Sequence, residues 1–168
     1  MAIQPIRLFG DPVLRKPAIE VVDFDKELRR LVQDLTDTMM DAPGAGLAAP
    51  QLGVGLRVFT WYVDGELGHL VNPSLDLSEE IQDGPEGCLS IPGMYWNCTR
   101  AKEVHLTGRD LDGNEISIDA DELLAYVLPF IEPLVHERHR FDREWLQGVS
   151  AAWRDVRTPE FATSTRLN

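Results

Sequence analysis

The chain has 168 residues, 43% of them hydrophobic, which suits one domain with one core. Its 28 acidic residues outnumber 16 basic ones and give a formal net charge of −12. That balance argues against a broad basic surface for nucleic acid or anionic lipid, so neither is an expected partner. There are two cysteines, Cys88 and Cys98, too few for a disulfide scaffold and without Cys-x-x-Cys spacing. A reducing, cytoplasmic setting is therefore expected. The first residues lack the apolar run of a signal peptide, and no stretch reaches the roughly 18 apolar residues of a membrane span.

Gly10-Asp11-Pro12-Val13-Leu14-Arg15 reads as a turn leading into a short ordered segment, kept non-helical by Pro12 and Pro17. Asp23 is expected to cap the element that follows. From Asp25 to Met40 the residues Leu28, Leu31, Val32, Leu35 and Met39 recur at helical spacing among charged ones. This predicts a surface helix with one buried stripe, ended by Pro43 and Gly44.

Residues 44–51, Gly-Ala-Gly-Leu-Ala-Ala-Pro-Gln, carry no charge and are small. They fit G-x-G-x-x-A, but a dinucleotide fingerprint needs a strand before it and a helix after it. Here a helix precedes and Pro50 interrupts, so nucleotide binding is set aside. Two readings stay open: a tight connection packed in the core, or a rigid loop beside a site with Gln51 as a neutral amide donor.

The β-branched and aromatic run 56–63 is a predicted strand, and Asp64-Gly65 a hairpin turn. His69-Leu70-Val71-Asn72-Pro73 is the expected return strand, and acidic 78–84 a solvent loop. Glu103-Val104-His105-Leu106-Thr107 and Ile116-Ser117-Ile118 are expected strands around a turn at Asp112-Gly113-Asn114. Beyond them a helix over 122–128 with Asp121 near its N-cap, a break from Pro129 to Pro133, and a second helix over 134–146 ended by Gly148 are predicted. The expected boundaries are one domain over 1–157 and a loose tail over 158–168.

The chemistry sits in three stretches: 44–51, Glu86-Gly87-Cys88-Leu89-Ser90, and His136-Glu137-Arg138-His139-Arg140. The third is close to His-Glu-x-x-His, in which two helical histidines bind a metal around a general base. Together they resemble the peptide deformylase family, whose motifs are G-x-G-L-A-A-x-Q, E-G-C-L-S and H-E-x-D-H. The first two are present without a mismatch; the third is degenerate or displaced. Asp11-Pro12-Val13-Leu14-Arg15 and Val71-Asn72-Pro73 also look like the family, and the resemblance runs to about Ala125.

The resemblance implies an α+β fold of short antiparallel or mixed strands around a central helix that carries the metal-binding histidines. It implies a metal-dependent hydrolase that removes the N-formyl group from N-formylmethionyl peptides, and so a role in protein biosynthesis. Carried over, Cys88 and His136 are metal ligands. Gln51 and the Leu89 N–H hold the oxyanion, and Glu137 is the general acid/base. Gly44, Gly46, Glu86 and Gly87 are the substrate-binding candidates. The metal implied is iron (Fe2+); Zn2+, Ni2+ or Co2+ suit a thiolate and two imidazoles equally. The partners implied are the N-formylated nascent peptide and the ribosome, toward which Arg154, Arg157 and Arg166 form a weakly basic tail. Cys98, His69 and His105 match no motif position and are read as structural.

Two registers compete for the third motif. If Glu122-Leu123-Leu124-Ala125 starts the metal helix, Phe130 and Leu134 fall at the ligand positions, Ile131 replaces the glutamate, and no metal site survives. If His136-Glu137 are ligand and base, they come later than the family spacing and Arg140 stands at the second histidine. A guanidinium cannot ligate. His139 is then the candidate second ligand, since residues three apart differ by roughly 60° and share a helix face. The stretch also reads as a solvated charged face, or the chain after about Ala125 as replaced sequence. The alternative function is accordingly a non-catalytic homologue without bound metal, at most a scaffold that grips a peptide along an edge strand.

Overall fold

The computed structural model describes residues 3–120. The helices expected over 122–128 and 134–146, the break between them, the domain boundary at 157 and the tail lie outside the described residues. So do Phe130, Ile131, Leu134, His136, Glu137, His139 and Arg140, and with them the expected central helix. The side chain of Cys98 is likewise not among those described.

The chain enters through a 3-10 turn, Pro12–Arg15, rather than the non-helical segment expected. Asp11 Oδ1 accepts the Val13 N–H at 3.0 Å, and Pro12 occupies a first position where no donor is needed. The helix α1 spans Lys26–Asp41 and buries Leu28, Val32, Leu35, Thr38 and Met39. Its cap is Asp25, not Asp23. Oδ1 of Asp25 accepts from the Glu27 and Leu28 N–H groups at 2.9 and 3.1 Å, a reach available only from the residue directly before the first turn. At the far end the Gly44 N–H donates to Met39 O at 3.0 Å.

Among the described residues seven strands follow: β1 Gly46–Ala48, β2 Val58–Val63, β3 Glu66–Leu77, β4 Ile81–Cys88, β5 Ile91–Ala101, β6 Val104–Arg109 and β7 Glu115–Ala120. They form a five-stranded sheet in the order β1-β2-β3-β6-β7 and a two-stranded sheet of β4 and β5. Every strand pairing among the described residues is antiparallel, and a parallel bridge joins Ile19 to Leu56. The α+β expectation holds.

Strand β2 is buried on both faces. Val58 packs with Leu35, Met39 and Leu47 beneath α1, while Phe59 and Trp61 join Leu70, Val104 and Leu106 on the other side. The turn to β3 is the expected hairpin: Asp64 and Gly65 have φ of 53° and 84°, the left-handed pair of a type I′ turn. Strand β3 outlasts its predicted extent because it bulges instead of ending at Asn72-Pro73. Asn72 takes a φ of 51°, the register with β6 shifts between Val71 and Ser74, and its amide makes two bonds to the Val21 backbone.

One further expectation fails, and one pair of readings narrows. Residues 78–84 are not a solvent loop: β4 begins at Ile81 and pairs with β5 from Ile81–Ala101 inward. Strand β5 itself carries turn-forming Pro92 and Gly93 at its start, which mask it. This hairpin is specified by cross-strand pairing more than by local propensity. Residues 44–51 are more than a tight connection: they contain β1 and a 3-10 turn, Ala49–Leu52, closed by Gly53 at a φ of 87°.

Gly68 lies opposite Trp61. A Cβ there would come 2.0 Å from Trp61 Cζ2, so Gly68→Ala must displace a buried indole. It should lower stability by about 1–3 kcal/mol in urea denaturation, whereas Gly55→Ala, where a Cβ meets nothing within 4 Å, should be nearly neutral. Nearby His69 has a buried Nε2 without a hydrogen-bond partner. Burial holds its pKa below the ordinary histidine value, against an upward pull from Asp110. The unfolded chain therefore takes up this proton first, so stability is full above the histidine range and declines as pH falls through it. Urea midpoints at about pH 7.5 and about pH 5.5 should differ less in His69→Gln than in the native chain.

Candidate active site

Gln51 sits in the second 3-10 turn, 7% exposed. Its Oε1 accepts the Ala48 N–H at 3.0 Å, which fixes which end of the amide is the donor. Nε2 donates one hydrogen to Ser90 Oγ at 3.1 Å. The other is unspent by any described bond, and Gln51 lines a cleft of about 560 Å³.

The opposite wall is the end of the β4–β5 hairpin. Cys88 pairs with Ile91, leaving Leu89-Ser90 as a two-residue turn. The turn presses the Leu89 side chain against Gly44, where a Cβ would come 2.6 Å from Leu89 Cδ1. Gly87 is likewise closed over by Tyr95, its cross-strand partner. All seven candidates from the first two motifs, Gly44, Gly46, Gln51, Glu86, Gly87, Cys88 and Leu89, line this one cleft.

The N-terminal segment ties the two walls together. The Arg7 N–H donates to Gln51 O at 2.7 Å and the Phe9 N–H to Ser90 O at 2.8 Å. The Gln4 N–H donates to Thr38 Oγ1 at 3.0 Å and anchors the same segment to α1.

Strand β1 forms the rim. Ala45 O accepts the Tyr62 N–H at 2.9 Å. Alternation along the strand then turns the N–H and C=O of Gly46 away from β2. Among the described residues no strand pairs β1 on that side.

Cys88 is a free thiol whose pKa is pushed up, chiefly by burial. The N–H groups of Ser90 and Ile91 and the Ser90 hydroxyl bond the sulfur and pull it back down, while the Glu86 carboxylate opposes them. Three donors aimed at a buried sulfur suit a thiolate, and a divalent cation beside it would supply the missing stabilisation. Cys88 therefore fits as one ligand of a divalent transition metal. Among the described residues no group of three His, Cys, Asp or Glu could complete a site. The proposed remaining ligands, His136 and His139, and the base Glu137 lie outside them.

The Glu86 side chain is 3% exposed and forms a bidentate pair with Arg100, Nε to Oε1 and Nη2 to Oε2 both at 2.8 Å. Its carboxylate is thus committed to Arg100 while the residue stays on the cleft wall. His105 meets Asp119 and Ser117 across β6 and β7, and neither it nor His69 lines the cleft. Sequence reasoning gave no part to Ser90, Arg100 or the Arg7–Phe9 segment. Ser90 closes the Glu-Gly-Cys-Leu-Ser stretch. Arg100 carries no local signal, because only the β4–β5 register brings it to Glu86.

A family model described as polypeptide deformylase matches residues 3–129. A peptide deformylase of Acidothermus cellulolyticus is 62% identical over 125 residues, covering 74% of this chain and 69% of that protein. Peptide deformylase 2 of Streptomyces avermitilis is 36% identical over 174 residues, covering 94% and 92%. Among solved structures, the peptide deformylase from Thermotoga maritima superposes with a TM-score of 0.78 at 31% identity, covering 80% of this chain and 93% of that one. One from Legionella pneumophila gives 0.77 at 34% identity, covering 94% and 100%.

Removing one partner of a buried ion pair typically costs ~3–5 kcal/mol because the other charge stays behind. Arg100 keeps some contact with water, so Arg100→Met should fall at the lower end of that range in urea denaturation. Adding Glu86→Gln should recover part of the loss.

Proposed function

Because the chain belongs to the polypeptide deformylase family, we propose that it is a metal-dependent hydrolase that releases formate from N-formylmethionyl peptides. The observation that carries this reading is the convergence of Gln51, the Leu89-Ser90 turn and Cys88 on one cleft. Cys88, His136 and His139 would hold a divalent ion, Fe2+ by family resemblance, with Zn2+, Ni2+ or Co2+ matching the same donors. Bound there, the ion supplies a Lewis acid that makes water a competent nucleophile at neutral pH.

The chain's own groups do the rest. Gly46 pairs the peptide backbone through its outward N–H and C=O, laying the substrate along β1 as an added strand. Gly44 and Gly87 keep the walls free of side chains where the backbone must approach. As water adds to the formyl carbon, negative charge develops on the formyl oxygen. The second Nε2 hydrogen of Gln51 and the Leu89 N–H donate to it. Glu137 takes the proton from the attacking water and passes it to the departing nitrogen. The C–N bond breaks, leaving formate and a free amine.

The same reading assigns N-formylated nascent peptides as substrate, the ribosome as the place where they are met, and the cytoplasm as the location. Among the described residues no helix is long and apolar enough to cross a membrane.

The test is anaerobic purification, metal quantification and a formate-release assay on an N-formylmethionyl tripeptide. Gln51→Ala should keep its metal and lose about 10²–10³ in kcat, the usual effect of one oxyanion donor. Cys88→Ser and His136→Ala should each lose the metal, and His139→Ala decides whether the short-spaced histidine ligates. A folded native chain that binds no divalent metal and releases no formate would sink the reading.

A further inference from the structure

Ser90 belongs to the second motif, yet no step above requires its hydroxyl. It is 6% exposed and stands between two groups that have roles. A serine hydroxyl has one hydrogen to give and two lone pairs. Here the hydrogen goes to Cys88 Sγ and one lone pair takes the Gln51 Nε2–H at 3.1 Å. The Ser90 carbonyl takes the Phe9 N–H at 2.8 Å, so the backbone that carries the hydroxyl is itself fixed.

We propose that Ser90 is a positioning residue that couples the Cys88 sulfur to the Gln51 amide, orienting the unspent amide hydrogen toward the formyl oxygen. The inference rests on the deformylase reading and deepens it. The amide plane of Gln51 is held at both ends, by the Ala48 N–H on Oε1 and by Ser90 on Nε2. Without the hydroxyl only the Ala48 bond remains. The side chain can then swing about its last torsion, and the free donor loses its aim. Through this single atom the metal-ligand side of the cleft and the oxyanion side share one hydrogen-bond chain, Gln51 to Ser90 to Cys88.

The role differs from a packing role in what it moves. Ser90→Ala should lower kcat on the formylmethionyl tripeptide by about 10- to 100-fold, the scale of a misplaced catalytic group, and leave KM within about twofold. Because Ser90 acts through Gln51, adding Ser90→Ala to Gln51→Ala should cost less than about threefold more. In the Co2+-loaded protein, Ser90→Ala should move the sulfur-to-cobalt charge-transfer band to lower energy, because the thiolate loses a donor. Gln51→Ala should leave that band in place. Unchanged kcat in Ser90→Ala, losses that multiply independently in the double variant, or an unshifted band overturns the proposal.

If Ser90→Ala fails to fold, the 15N-labelled native chain decides. One Gln51 side-chain amide proton should exchange far more slowly than that of a free amide; equal fast exchange of both overturns the proposal. A native chain that shows no charge-transfer band and no formate release fails the deformylase reading instead. The amide-exchange result stands apart from that outcome.

Discussion

The cleft depends on one constraint: two motif segments on separate sheets must be held at hydrogen-bonding distance. Gln51 follows β1 in the five-stranded sheet, and Ser90 sits at the tip of the β4–β5 hairpin. The Gln51–Ser90 bond joins them directly, and the Arg7–Phe9 backbone joins them again from behind. The two backbone bonds are indifferent to side chain, so this strap imposes little on the sequence that forms it. What it does require is two free backbone donors at alternate positions, Arg7 and Phe9.

The walls of the cleft solve the burial of charge in two ways. Glu86 is deeply buried beside Cys88, and two parallel bonds from Arg100 satisfy it. Such a pair contributes little net stability against an apolar substitute, but it fixes geometry, because a guanidinium fork admits one orientation of the carboxylate. Cys88 is treated oppositely. It receives hydrogen bonds from Ser90 and Ile91 but no cation among the described residues, and burial still holds the thiol up. The protein thus provides donors enough to shape a thiolate and leaves the final share of its stabilisation to a positive charge.

Local signals in the sequence were strong where local physics decides. The stripe from Leu28 to Met39 announced α1, and Asp64-Gly65 announced the β2–β3 turn. The cap was misassigned to Asp23 because two aspartates lie close together and only the first helical residue distinguishes them. Strands β4 and β5 were illegible for a different reason. Glycine, proline and acidic residues dominate β4, and its pairing comes from β5, so neither strand carries a signal alone. The candidate residues of the cleft were legible through the motifs, but their partners were not. Arg100 reaches Glu86 only by register, and the reach of Arg7 and Phe9 to Gln51 and Ser90 spans much of the chain.

That last span has a kinetic meaning. A two-residue hairpin such as the one ending in Leu89-Ser90 can form on a microsecond timescale, since its strands are adjacent. The Arg7–Gln51 bond instead closes a loop across α1 and β1, and the Phe9–Ser90 bond one across α1 and the first four strands, so each carries a loop-closure cost that the hairpin does not. Competence for chemistry therefore depends on long-range closure, in which the beginning of the chain returns to lie behind both motifs.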